Sequence, residues 1–142
     1  MARLSRAAVV ALGGVTAVAV NLVVYSVGRA AGGTFQFTSS SGPAEVDAVT
    51  IAGFTAVPLL VGLAAVALLA PFAAWVVRAA LVVGPVLAVG TVALMTLPTD
   101  LDTASKAALA LCHLALIPIT IAAVVAIGRR AQAIRATRAI PT

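Results

Sequence analysis

Four long apolar runs divide the chain, at about residues 7–27, 49–70, 73–97 and 107–127, each with few polar side chains inside it. A helix rises about 1.5 Å per residue and bilayer hydrocarbon is about 30 Å thick, so roughly 20 residues make one crossing. Each run is long enough. The pattern predicts an all-α fold, an integral membrane four-helix bundle forming a single domain over residues 1–142. Residues 28–48 form an outer loop around the turn-rich stretch Gly32 to Pro43, in which Phe35, Gln36 and Phe37 alternate as in a short strand or an interfacial dip. Pro71 and its neighbours are all that separates the second run from the third, which predicts a tight helical hairpin with Trp75 at headgroup level and Arg78 snorkelling towards it. Pro98-Thr99-Asp100 closes the third run, and Asp102 or Thr103 caps the fourth. Pro58, Pro85 and Pro118 lie inside the last three runs and are expected to kink them.

Composition supports this reading: 63% of residues are hydrophobic and 9% charged, against about a quarter charged in a soluble domain. The net charge of +5 raises nucleic acid as a partner, but the basic residues sit at the ends of apolar runs and aromatics number six, too few for a stacking platform. No nucleic-acid partner is expected. With cytoplasmic loops holding the excess of Lys and Arg, the N-terminus belongs inside. Arg3, Arg6, Arg78, Arg129, Arg130, Arg135 and Arg138 are then cytoplasmic and Arg29 and Lys106 outside, a split of seven to two. Both termini lie in the cytoplasm of a plasma-membrane protein. The basic tail, residues 128–142, continues the last helix towards anionic lipid, at about 1 kcal/mol for each arginine near the surface. Met1 to Arg6 followed by an apolar run resembles the start of a signal peptide, with a small-x-small site at Gly28-Arg29-Ala30. The run of 21 residues from Ala7 to Val27 exceeds the usual apolar region of such a leader, and its removal would leave an odd number of spans, so an uncleaved helix is preferred.

Polar side chains inside the spans are where chemistry would sit. Counted from the outer ends, Asn21, Thr55, Thr91 and His113 each lie six residues deep, or about 9 Å at the helical rise. One polar layer near the outer leaflet is predicted. Gly13, Ala17, Asn21 and Tyr25 form a ridge of the first helix suited to close packing, and His113 lies on a leucine-lined ridge of the fourth with Leu109, Leu116 and Thr120. Inward-facing, His113 can meet Asn21 or a threonine hydroxyl. Two readings follow. The layer is a hydrogen-bonded clamp in which His113 and Asn21 satisfy each other and hold the helices in register, at about 0.6 to 2 kcal/mol per contact, or it is a small polar pocket taking a lipid headgroup, a quinone-like ring or another small amphiphile.

No catalytic constellation accompanies these residues: the spans carry no carboxylate, and no metal-spaced His and Cys set or phosphate-binding glycine loop occurs. Cys112 and His113 are sequence neighbours and diverge by about 100° on a helix, which does not build a thiolate-imidazole pair. Cys112 reads as a small core hydrophobe. Asp100 and Asp102 could attract a cation, but such a pair more often caps a helix. Neither enzyme activity, cofactor nor metal is expected.

Leu97-Pro98, the short loop bearing Thr103 and Lys106, and Leu109-Ala110-Leu111-Cys112-His113-Leu114 form one distinctive stretch; Asn21 with Gly28-Arg29-Ala30-Ala31-Gly32 forms another. On these residues the chain resembles a family of small four-span membrane proteins found in actinobacteria and carrying no assigned function. Where that family often has Met, this chain has Cys112, which argues against thiol chemistry. Eight arginines to one lysine also fit a GC-rich genome. The resemblance implies topology and leaves activity open. A non-enzymatic protein, self-associating or an accessory subunit of a larger membrane complex, is the expected role, with a small transporter or amphiphile-binding protein as the alternative.

Overall fold

The computed structural model describes residues 4–138. Four helices follow one another: α1 (Arg6–Ala30), α2 (Ala48–Leu69), α3 (Trp75–Thr91) and α4 (Thr103–Arg138). All four runs are long and apolar enough to cross a membrane, α3 together with the π-helical turn Val92–Thr96 that extends it. Two short antiparallel strands, β1 (Gln36–Ser39) and β2 (Gly42–Glu45), form a hairpin within the loop between α1 and α2, with Gln36 paired to Glu45 and Ser39 to Gly42. Side-chain oxygens set two starts: Ser5 accepts from the Ala8 amide at α1, and Asp47 from the Thr50 amide at α2.

α1 is the central helix, packed along α2 on one side and α4 on the other, while α3 lies mainly against α4. The turn between α2 and α3 is as short as the sequence suggests, but the two helices make little contact beyond it. Apolar side chains in lipid gain nothing by leaving it, so helices join by close packing and need small residues at the seam. The buried face of α1 includes Gly14, Ala17, Asn21 and Gly28. A Cβ on Gly14 would stand 2.6 Å from Leu60, and one on Gly28 would stand 2.6 Å from the Ala108 Cβ. Outward faces are apolar: Val15 is 69% exposed, Phe54 78% and Leu94 80%. Water would not tolerate so large an apolar surface; lipid does.

Two apolar clusters fill the interior. One, around Leu63, Val124 and Ile127, lies towards the end that holds the start of α1 and the end of α2. There Arg6 donates to the Ala67 carbonyl, a basic group on the last turn of a neighbouring helix. The other cluster gathers Ile51, Leu101, Ala108 and Leu109 around Phe35, which is fully buried. α4 has 36 residues, about 54 Å at the helical rise. It therefore reaches beyond the other helices, with Arg129 and Arg130 level with the last cluster residue, Ala131, and Arg135 past it.

Gly28→Ala and Gly53→Ala should move stability in opposite directions. Open space surrounds Gly53, so alanine there should stabilise by up to about 1 kcal/mol through helix propensity. At Gly28 the overlap with Ala108 should outweigh that gain and lower the thermal midpoint, read by circular dichroism in the same detergent.

Candidate functional site

Asn21 and Thr55 meet at the seam of α1 and α2, both buried, with the Asn21 amide Nδ2 donating to Thr55 Oγ1 at 2.8 Å. α4 contributes Cys112, whose thiol Sγ lies 3.7 Å from the Asn21 main-chain carbonyl and donates to it. Asn21 Oδ1 is buried and has no hydrogen-bond partner. This small polar layer separates the two apolar clusters. One helical turn towards the hairpin from each member stands a residue beside Phe35: Tyr25 after Asn21, Ile51 before Thr55, and Ala108 before Cys112.

Thr91 and His113 are placed elsewhere. The Thr91 hydroxyl donates back to its own helix, with the Leu87 and Ala88 carbonyls 2.8 and 2.9 Å away. His113 Nδ1 lies 2.8 Å from the carbonyl of Leu109, also in its own helix. Gly84 meets Thr120 and Gly128 meets Val77 across the α3 and α4 seam. Seven residues outward from the first of those contacts, Thr91 and His113 reach the same level on that seam. The predicted layer is therefore two groups on two seams. About 100° of helical rotation separates Cys112 from His113, so only one of them can face α1, and Cys112 does.

Sequence reasoning missed the construction above the layer. Phe35 has φ 57°, a left-handed conformation rare for a bulky side chain and held only where surroundings impose it. Its ring packs against Tyr25 with centroids 4.6 Å apart and planes tilted by 56° and fills the space left by the missing side chain of Gly28. Its amide donates to Ser105 Oγ at 2.8 Å, and its carbonyl accepts from Val46. Ser105 in turn donates to Asp102 Oδ2 at 2.6 Å, and the same oxygen accepts from the amide and hydroxyl of Thr34. Asp102 Oδ1 accepts from the Ser105 amide, capping α4. Asp100 holds the hairpin at a second point, accepting from the Thr38 amide at 2.9 Å. The glycines and serines of the loop hid this anchoring; the residue pattern Asp102-x-x-Ser105 at a helix start was its one visible sign.

These hydrogen bonds act on the carboxylates. Hydrogen bonding by Ser105, then by Thr34, holds Asp102 far below the ordinary carboxylate range. Thr38 holds Asp100 below it too, with Lys106 adding a smaller attraction. Among the described residues, no group of three or more His, Cys, Asp or Glu side chains is arranged to hold a metal ion.

A model of a family of unknown function, DUF6069, matches residues 1–134, nearly the whole chain and both anchoring regions. The chain belongs to that family. No curated protein and no solved structure matches it. In this DUF6069 member the family match thus spans the first three helices, the hairpin, the polar layer and all but the last turn of α4.

Two predictions follow from the geometry. Thr55→Val should leave Asn21 Nδ2 unpaired and cost roughly 0.6 to 2 kcal/mol in a reversible unfolding assay, while His113→Leu, which breaks no bond between helices, should cost less. Because the folded-state pKa values of Asp102 and Asp100 are depressed, their contribution is complete above the unfolded carboxylate value of about 4 and is lost as pH falls below it. Amide exchange at Phe35 and Thr38 should therefore accelerate in acid beyond its intrinsic pH dependence, and Asp102→Asn should bring the faster exchange to neutral pH.

Proposed function

We propose that this protein is a non-enzymatic multi-pass plasma-membrane protein with both termini in the cytoplasm, acting as a structural or accessory subunit, by self-association or within a larger complex. The observation that carries the reading is how its polar groups are used. Within the spans, Asn21 and Thr55 join two helices, and Thr91 and His113 bond to their own backbones. At the hairpin end, Asp100, Asp102 and Ser105 hold a rigid display element rather than a reactive cleft. The sidedness of charge supports the orientation: Arg6, Arg78, Arg129, Arg130 and Arg135 share one end, while all four acids share the other with Arg29 and Lys106. Arg3 lies outside the described residues. The overhanging end of α4 suits contact with anionic lipid.

A second reading, a small amphiphile-binding or transport protein, is favoured by the unpartnered Asn21 Oδ1, since a buried acceptor without a donor is uncommon.

Topology is the decisive measurement. Cysteines introduced singly at Ser40 and Thr137 in a Cys112→Ala background should behave oppositely in intact cells: the first labelled by an impermeant maleimide, the second only after lysis. The reverse pattern would sink the orientation. Chemical crosslinking in native membranes should then yield a homo-oligomer or a discrete heteromeric band; a protein that stays monomeric and uncrosslinked is no accessory subunit.

A further inference from the structure

Outside the polar layer, the last turns of α1 carry two depressions, one above the other. The lower, about 370 Å³, is an apolar groove along Leu22, Val23, Ser26, Val27 and Ala30. The upper, about 400 Å³, is polar and lies between Arg29, Thr34, Gln36 and Glu45. Leu22, Ser26 and Arg29 are spaced i, i+4, i+7, so one ridge of α1 runs from the groove into the polar depression. Ser26 does not interrupt the apolar groove chemically, because its hydroxyl is turned back to the Leu22 carbonyl at 2.8 Å.

Arg29 and Glu45 form an exposed ion pair at 3.0 Å, with side chains 45% and 42% exposed. The pair is only partly used. Both hydrogen bonds of the Arg29 guanidinium, to Thr34 O and to Glu45 Oε1, leave from Nη1. A guanidinium has five N–H donors, so Nε and Nη2 keep donors for a further acceptor. Glu45 Oε2 has no hydrogen bond to another described residue and keeps its lone pairs for a donor. The site thus offers, side by side, a fork suited to a phosphate and a carboxylate suited to an N–H cation. Beneath them lies the shallow, open apolar groove on the side of α1, at the depth of acyl chains.

We propose that this composite site binds one phospholipid of the hairpin-side leaflet whose headgroup holds a phosphate and a primary ammonium, a phosphatidylethanolamine. The phosphate takes the free edge of Arg29, the ammonium donates to Glu45 Oε2, and an acyl chain lies along Val23 and Val27. A quaternary ammonium has no N–H to donate, and a purely anionic headgroup brings a negative charge to Glu45. The inference rests on α1 crossing the bilayer, and it concerns a place distinct from Asn21 and Thr55.

Native mass spectrometry of the full-length protein tests this, with an equimolar mixture of phosphatidylethanolamine, phosphatidylcholine and phosphatidylglycerol of identical acyl chains added in detergent. The first lipid should be retained about fivefold over the second, the ratio given by the stronger exposed charge contacts. Glu45→Gln should bring that ratio near one at unchanged helix content. Val27→Trp, at a side chain already 63% exposed, should fill the groove and reduce retention of the ethanolamine lipid. Equal retention of ethanolamine and choline lipids, a preference for the glycerol lipid, or a ratio insensitive to Glu45→Gln would each overturn the proposal. Retention of no lipid at all would count also against the bilayer-spanning reading, which separates that failure from a wrong headgroup.

Discussion

Burying the Phe35 ring is the constraint on which the hairpin end of the molecule depends. A phenyl group that large gains most by leaving water, but its backbone must then enter a helix cluster and find partners for its own N–H and C=O. Ser105 and Val46 supply them. Ser105 can serve only because Asp102 orients its hydroxyl, and Asp102 is placed by capping α4. Helix start, carboxylate, serine and aromatic ring form one chain of dependence, and the left-handed backbone at Phe35 is the strain that chain holds in place.

Below Phe35 a different rule governs. Lipid removes the hydrophobic drive between helices, so contact follows from shape, and α1 takes the central position because its inward face is small. Gly14 admits Leu60 and Gly28 admits Ala108 and Phe35. The bond from Asn21 to Thr55 adds a directional contact to the register of α1 against α2 that the seat of Leu60 at Gly14 also defines. α3 has only Val76 buried along its α-helical length. It is the peripheral helix, attached through α4.

The spans were legible because hydropathy over 20 or more residues leaves little freedom of interpretation, and equal depth put Asn21 and Thr55 in one layer, although the partner expected for Asn21 was His113 and the structure gives it Thr55. Depth alone could not tell which seam a residue faces. Thr91 and His113 share the level of the layer but not its seam, and Cys112, read as apolar filler, takes the place expected of His113. The hairpin was harder. Its strands are four residues each, set in a loop rich in Ser and Gly, and no local signal marks a phenylalanine with positive φ. What buries Phe35 comes from Tyr25, Ile51 and Ala108, far apart in the chain, and such long-range agreement is absent from any window of sequence.

α4 reaches from the carboxylates that clamp the hairpin to the arginines at the opposite end. The two faces of the membrane are thus joined by one continuous rod, whose start is fixed to the displayed loop and whose far end overhangs its neighbours. Because α4 also makes the most extensive contact with α1, the hairpin cannot shift without moving the start of the helix against which the centre of the bundle is packed.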